Sequence, residues 1–137
     1  MGSKKDLKFV SAISLVSLIA AAAILCAVCI LPQVMISRLD RTIAPLAEEA
    51  IRLVHNGDTE NVVPIIGSIL EAYEKEHDAI KTFYSHDEAA QLRYAIITGY
   101  ELAKEGDVKQ LLTELTAIEN ELHVMKHLNE ASLINLF

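Results

Sequence analysis

Residues 55–64 read HNGDTENVVP and residues 104–112 read KEGDVKQLL. In each stretch a Gly-Asp pair interrupts a helix-like run, and the two glycines, Gly57 and Gly106, stand 49 residues apart. A helix that ends in a sharp turn leaves through a left-handed residue, a conformation that glycine alone takes at little cost. The aspartate that comes next brings a carboxylate able to accept orphan N–H groups of the next helix. Gly57-Asp58 and Gly106-Asp107 therefore read as the tips of two helical hairpins, and short connections make consecutive helices run antiparallel.

The flanking residues supply four apolar stripes at helical spacing. The first is Ile36, Leu39, Ile43, Leu46 or Ala47, Ala50, and Leu53 or Val54. The second is Ile65, Ile66, Ile69, Tyr73, His77, Ile80, and Phe83 or Tyr84. Ala89, Leu92, Ile96, Tyr100 and Ala103 make the third, and Leu111, Leu115, Ile118, Leu122 and Met125 the fourth. Pro64 would break a helix begun at Asp58, whereas with Asn61 as cap it falls at the third helical position, whose N–H has no intrahelical partner. SHDE at residues 85–88 has the spacing of a capping box. No sustained period-two alternation appears, so no strand is predicted. The expected helices lie near residues 36–56, 61–84, 86–105 and 107–131. An offset of 49 superposes little beyond Gly-Asp, Leu53 on Leu102 and Ile69 on Ile118. Two repeat units rarely stack into a stable solenoid, so one closed bundle is the better way to bury four stripes.

Upstream lies a different kind of segment. The mean hydropathy of +0.30 has a concentrated source. Residues 9–31 are 23 in a row without charge, Gly or Pro, and twelve are Phe, Val, Ile or Leu. As a helix the run is roughly 35 Å long, against a hydrocarbon core of roughly 30 Å. The twelve strongly apolar residues favour insertion by roughly 4–7 kcal/mol at most. The run exceeds the apolar segment of a signal peptide, and the three alanines that resemble a cleavage site, Ala21, Ala22 and Ala23, sit in mid-run. Leu25 before Cys26 and Val28 before Cys29 do not suit a lipoprotein, and Asp6 stands where myristoylation wants Ser or Thr. The reading is a basic tail at residues 1–8, an uncleaved transmembrane helix at 9–31 and a helical domain at 32–137. The first domain helix can continue from the anchor through Pro32 and Pro45, with kinks. Lys4, Lys5 and Lys8 against Asp6 favour a cytoplasmic tail and an extracytoplasmic C-terminal domain.

Both cysteines, Cys26 and Cys29, fall in the apolar run, where hydrocarbon suppresses the thiolate that redox chemistry needs. From Arg38 onward the chain carries 9 basic and 18 acidic residues, a net −9, which excludes a basic nucleic-acid face. Glu74 and His77 have the Glu-x-x-His spacing of a carboxylate-bridged bundle metal site. The second copy such a site needs is missing, because Asn120 stands where a carboxylate should precede His123, and Glu48, Glu49 and Glu101 lie off the stripes. His123 and His127 are four apart, a half-site for zinc without a third ligand marked by spacing. Solvated histidines are the simpler reading of His123 and His127. No nucleophile elbow, phosphate-binding glycine loop or H-E-x-x-H occurs. No residue is assigned a catalytic, cofactor-binding or metal-binding role.

A single N-terminal anchor, an NGD break, a second GD break and the ending LLTELTAIENELHVMKHLNEASLINLF with its E-x-S-L-x-N mark (Glu130 to Asn135) resemble a known group. It is an uncharacterised family of small single-pass membrane-anchored helical proteins, a domain of unknown function of Gram-positive spore-forming bacteria. The resemblance implies an anchored helical domain and no assigned activity. The expectation is an all-α chain: one N-terminal transmembrane helix, then an antiparallel four-helix bundle-like domain. It would act as a non-enzymatic interaction or scaffold module, partnered by the bilayer and by a membrane protein or itself. The alternative is a ligand- or metal-sensing helical ectodomain. FYSH at residues 83–86 and LINLF at residues 133–137 are expected to converge beside the exit of the anchor.

Overall fold

The computed structural model describes the backbone of residues 4–134 and the side chains of residues 14–128. Within them lie four α-helices and no strand: α1 Lys4–His55, α2 Val62–Phe83, α3 His86–Glu105 and α4 Val108–Ile134. The chain divides into two compact units, Met1–Leu31 and Pro32–Phe137.

α1 is one helix of 52 residues, with Pro32 and Pro45 inside it. The helix expected near 36–56 thus continues from the apolar segment through Pro32 and Pro45, the continuation that the sequence allows. Each proline removes a single backbone donor. Continuing the helix keeps the other backbone groups bonded, which matters most where no water can replace those bonds. In the first unit the described side chains from Ser14 to Leu31 are exposed, apart from a half-buried Cys29. This is the one helix among the described residues that is long and apolar enough to cross a membrane.

The second unit is built on the four stripes. Ile36, Leu39, Ile43, Ala47, Ala50 and Val54 of α1 are buried. α2 adds Ile66, Ile69, Tyr73 and Ile80; α3 adds Ala89, Leu92, Ile96 and Ala103; α4 adds Leu111, Leu115, Ile118, Leu122 and Met125. Three stripe positions differ from expectation: Ile65, His77 and Tyr100 are only half-buried. Val62, Ala95 and Leu102 join the core in addition. Each large aliphatic side chain buried this way contributes about 1.5–3 kcal/mol. Among the described residues no polar or charged side chain is buried in this core, and no buried side-chain polar atom lacks a partner.

The two Gly-Asp turns are the same motif. Gly57 and Gly106 have φ of +75° and +76°. Gly57 N donates to Val54 O (3.0 Å) and Asp58 N to Leu53 O (2.9 Å); Gly106 N donates to Ala103 O (3.3 Å) and Asp107 N to Leu102 O (3.1 Å). These paired bonds are the Schellman pattern, with the backbone carbonyls of Leu53 and Leu102 accepting the longer-range bond of each pair. The two aspartates then play different parts. Asp107 Oδ1 accepts from Gln110 N at 3.1 Å and caps α4 as expected. Asp58 instead accepts the Asn61 side-chain amide, at 3.0 and 2.8 Å. Asn61 already has helical backbone angles (φ −80°, ψ −7°) and makes no capping bond, so it is not the cap the sequence suggested. A capping side chain reaches the first N–H groups from extended backbone, which Asn61 lacks. Ser85 has it (ψ 155°), and its capping box with Glu88 is complete.

Polar contacts bridge the helices around the core. Tyr73 Oη donates to Ala89 O at 3.0 Å between α2 and α3. Arg38 pairs with Glu76 (3.2 Å, α1–α2), Arg93 with Glu74 (3.2 Å, α3–α2) and Lys126 with Asp40 (3.1 Å, α4–α1). The side chains of residues 133–137, and with them the expected convergence on FYSH, lie outside the described residues.

Candidate functional site

The titratable pairs that the sequence singles out do not assemble. Glu74 points to Arg93, while His77, one turn on, holds its Nδ1 3.4 Å from Tyr73 Oη. Glu49 pairs with Arg52 and Glu101 with Lys104 on the surface. His123 and His127 stack edge-on with ring centroids 4.3 Å apart, both exposed. Among the described residues no group of three or more His, Cys, Asp or Glu is placed to hold a metal.

The structure instead forms a groove of about 610 Å³ between α2 and α3. Its floor is Tyr73, and its walls carry His77, Lys81, His86, Arg93 and Tyr94 among smaller and apolar residues. Helical spacing explains the arrangement. Tyr73, His77 and Lys81 are successive i,i+4 positions, and His86, Ala89, Arg93 and Ile97 run along the facing edge of α3. Tyr73 gives its one hydroxyl proton to Ala89 O, so its oxygen has only acceptor capacity left toward His77 Nδ1. Burial pushes the Tyr73 phenol above its ordinary pKa; Arg93 draws it down and Glu74 pushes it up, each by less. Arg93 directs Nε and Nη2 to Glu74 Oε1, at 3.3 and 3.2 Å. Among the described residues no carboxylate pairs with Lys81. Tyr94 at the mouth is 68% exposed.

Two smaller grooves show how unusual this lining is. One of about 400 Å³ between α3 and α4 is acidic, with Asp87, Glu114 and Glu121. Another, of about 310 Å³ between α1 and α2, carries Arg38 and Lys75 against Glu71 and Glu76, which pair with them. The α2–α3 groove alone among the three has cations and no carboxylate in its lining. Nothing in the sequence marks Lys81, Arg93 and Tyr94 as one group, and His86 reads there only as part of the SHDE turn and of FYSH. The i,i+4 pair His77 and Lys81 beside the SHDE turn was the available signal.

The chain matches no protein-family model, no curated protein and no solved structure.

Proposed function

We propose that the chain is a membrane-anchored, non-enzymatic helical interaction or scaffold module. The observation that carries this reading is α1 itself. A run of exposed apolar side chains up to Leu31 is succeeded, in the same helix, by a buried stripe from Ile36 to Val54. Such a helix suits a small domain tethered to a bilayer. We read the domain as an antiparallel bundle. Along α1 and α2, Arg38 meets Glu76 while Leu46 and Ser68 line a common groove. Along α2 and α3, Tyr73 meets Ala89 while Gly67 lies near Tyr100. Along α3 and α4, Asp87 and Glu121 share a groove while Gly99 nears Leu111. Along α4 and α1, Lys126 meets Asp40 while Glu48 acts on Glu119. In each case one number rises as the other falls. The resemblance to anchored helical proteins of spore-forming bacteria agrees with this reading and adds no activity.

The test is crosslinking of the full chain in native membranes, with identification of what is captured. A defined membrane-protein partner or a second copy is the expected product. A chain that stays monomeric at every crosslinker dose sinks the interaction reading, and release by alkaline carbonate sinks the anchor. For orientation, Lys109→Cys beside the Gly106 turn is expected to react with a membrane-impermeant thiol reagent in intact cells. Labelling only after lysis reverses the topology. The α2–α3 groove favours a second reading, a ligand-sensing ectodomain.

A further inference from the structure

From the α2–α3 groove we infer that this face binds an amphiphile with a phosphate headgroup, the phosphate against Lys81 and Arg93 and the apolar body along Ala89, Ile97 and Tyr94. The inference rests on the ligand-sensing reading and names its ligand class.

Charge points to the headgroup. The region from Arg38 onward is net −9, yet the charged side chains lining this groove are Lys81 and Arg93, with no acidic side chain among them. The neighbouring groove beyond Tyr94 is acidic, and in the third each cation has its own carboxylate; here Arg93 has Glu74, while among the described residues Lys81 has none. A lining of one sign concentrates counter-ions of the other. A phosphate brings three oxygens and up to two negative charges, more than a carboxylate's two oxygens and single charge, and so suits a lysine and an arginine together. Arg93 spends Nε and Nη2 on one Glu74 oxygen, which holds the guanidinium in place and leaves its remaining N–H groups for a ligand.

Shape points to the apolar body. About 610 Å³ is within the range of small-molecule sites, which are mostly apolar with a few convergent polar groups. A bare anion has no use for the exposed ring of Tyr94 or the wall of Ala89 and Ile97. An acyl body does. Tyr73 makes a rigid floor: its hydroxyl is tied to the α3 backbone at 3.0 Å and its ring is buried.

The test uses the full chain in nanodiscs of phosphatidylcholine, titrated calorimetrically with water-soluble dihexanoyl phosphatidic acid. Parallel titrations use dihexanoyl phosphatidylcholine, inorganic phosphate and decanoate. Saturable binding of the phosphatidic acid is expected, with inorganic phosphate weaker by at least about ten-fold because it buries no apolar surface. Lys81→Gln and Arg93→Gln should each weaken it by about ten-fold, the scale of one charge-assisted hydrogen bond. Lys109→Gln, away from the groove, should leave it unchanged. Both groove side chains are exposed, and circular dichroism of each variant checks that the fold is retained. Equal affinity for phosphatidic acid and phosphatidylcholine, or indifference to both groove variants, overturns the inference as nonspecific partition. Binding of decanoate alone, still sensitive to Lys81→Gln, overturns the phosphate assignment but keeps the ligand-sensing reading. Inorganic phosphate binding as tightly as the amphiphile overturns the apolar half. No binding of any of the four removes this ligand class and leaves the groove nothing to support the ligand-sensing reading.

Discussion

The hydroxyl of Tyr73, a residue fully buried in α2, donates to the carbonyl of Ala89 in the first turns of α3 at 3.0 Å. The bond spans the α2–α3 connection from inside the core, and the same ring floors the groove. Tyr73→Phe keeps the packing and removes the bond, so a loss of about 0.5–1.5 kcal/mol is expected. Tyr73→Ala also opens a cavity and should cost about 3–5 kcal/mol. Thermal melting of the full chain in detergent, monitored by circular dichroism, measures both. The phenol adds a pH signature. Its folded pKa is raised by burial, so its contribution is whole below the unfolded value of about 10 and is lost as pH rises through the folded one. Wild-type stability should therefore fall more steeply above about pH 10 than that of Tyr73→Phe. Parallel alkaline curves would refute the assignment.

The contrast between two capping residues gives a second expectation. Ser85 and Glu88 exchange bonds of 3.2 and 2.9 Å, while Asn61 bonds only to the Asp58 side chain. Ser85→Ala should cost about 1 kcal/mol and Asn61→Ala only a few tenths. Equal losses in melting experiments would mean that Asn61 caps α2 after all.

Gly57 and Gly106 have open space where a Cβ would go, so crowding does not forbid a side chain there. The positive φ is what selects glycine. Alanine at either position should cost about 1–2 kcal/mol, and asparagine, which enters the left-handed region more readily, less. Denaturant titration of the four variants decides it, and alanine and asparagine variants of equal stability would place the cost elsewhere.

Glu119 on α4 has its pKa raised by burial first and by the nearby charge of Glu48 second. A raised folded pKa means its contribution is whole below the unfolded value of about 4.3 and is lost as pH rises through the folded one. Glu119→Gln should then stabilise the chain at pH 7 by roughly 0.5 kcal/mol, with the gain gone near pH 4. A gain that persists unchanged in acid would point to packing rather than charge.

The features legible in the sequence are those that physics makes local. Twenty-three uncharged residues declare a membrane-length helix whatever surrounds them. Gly-Asp at 57 and 106 declares two left-handed exits because no other residue type makes them cheaply. A stripe such as Leu111, Leu115, Ile118, Leu122 and Met125 declares its buried face, since 3.6 residues per turn leave few alternatives. The spacing of Ser85 and Glu88 carried their capping box in the same way.

Tertiary packing decided what the spacing left open. Of the alternatives on α1, Ala47 and Val54 went inside while Leu46 and Leu53 stayed half-buried. Asn61 lost the cap to the backbone angles of its own turn. Glu74 found its partner, Arg93, on the next helix, which spacing along its own helix does not show. The cationic groove belongs wholly to this second kind of information. Lys81 and Arg93 belong to different helices, and periodicity states which face a residue occupies on its own helix, not whose face it meets. Only the packing of α2 on α3, set by buried residues such as Tyr73, Ile80, Ala89 and Leu92, brought the two cations to one groove and left the carboxylates outside it.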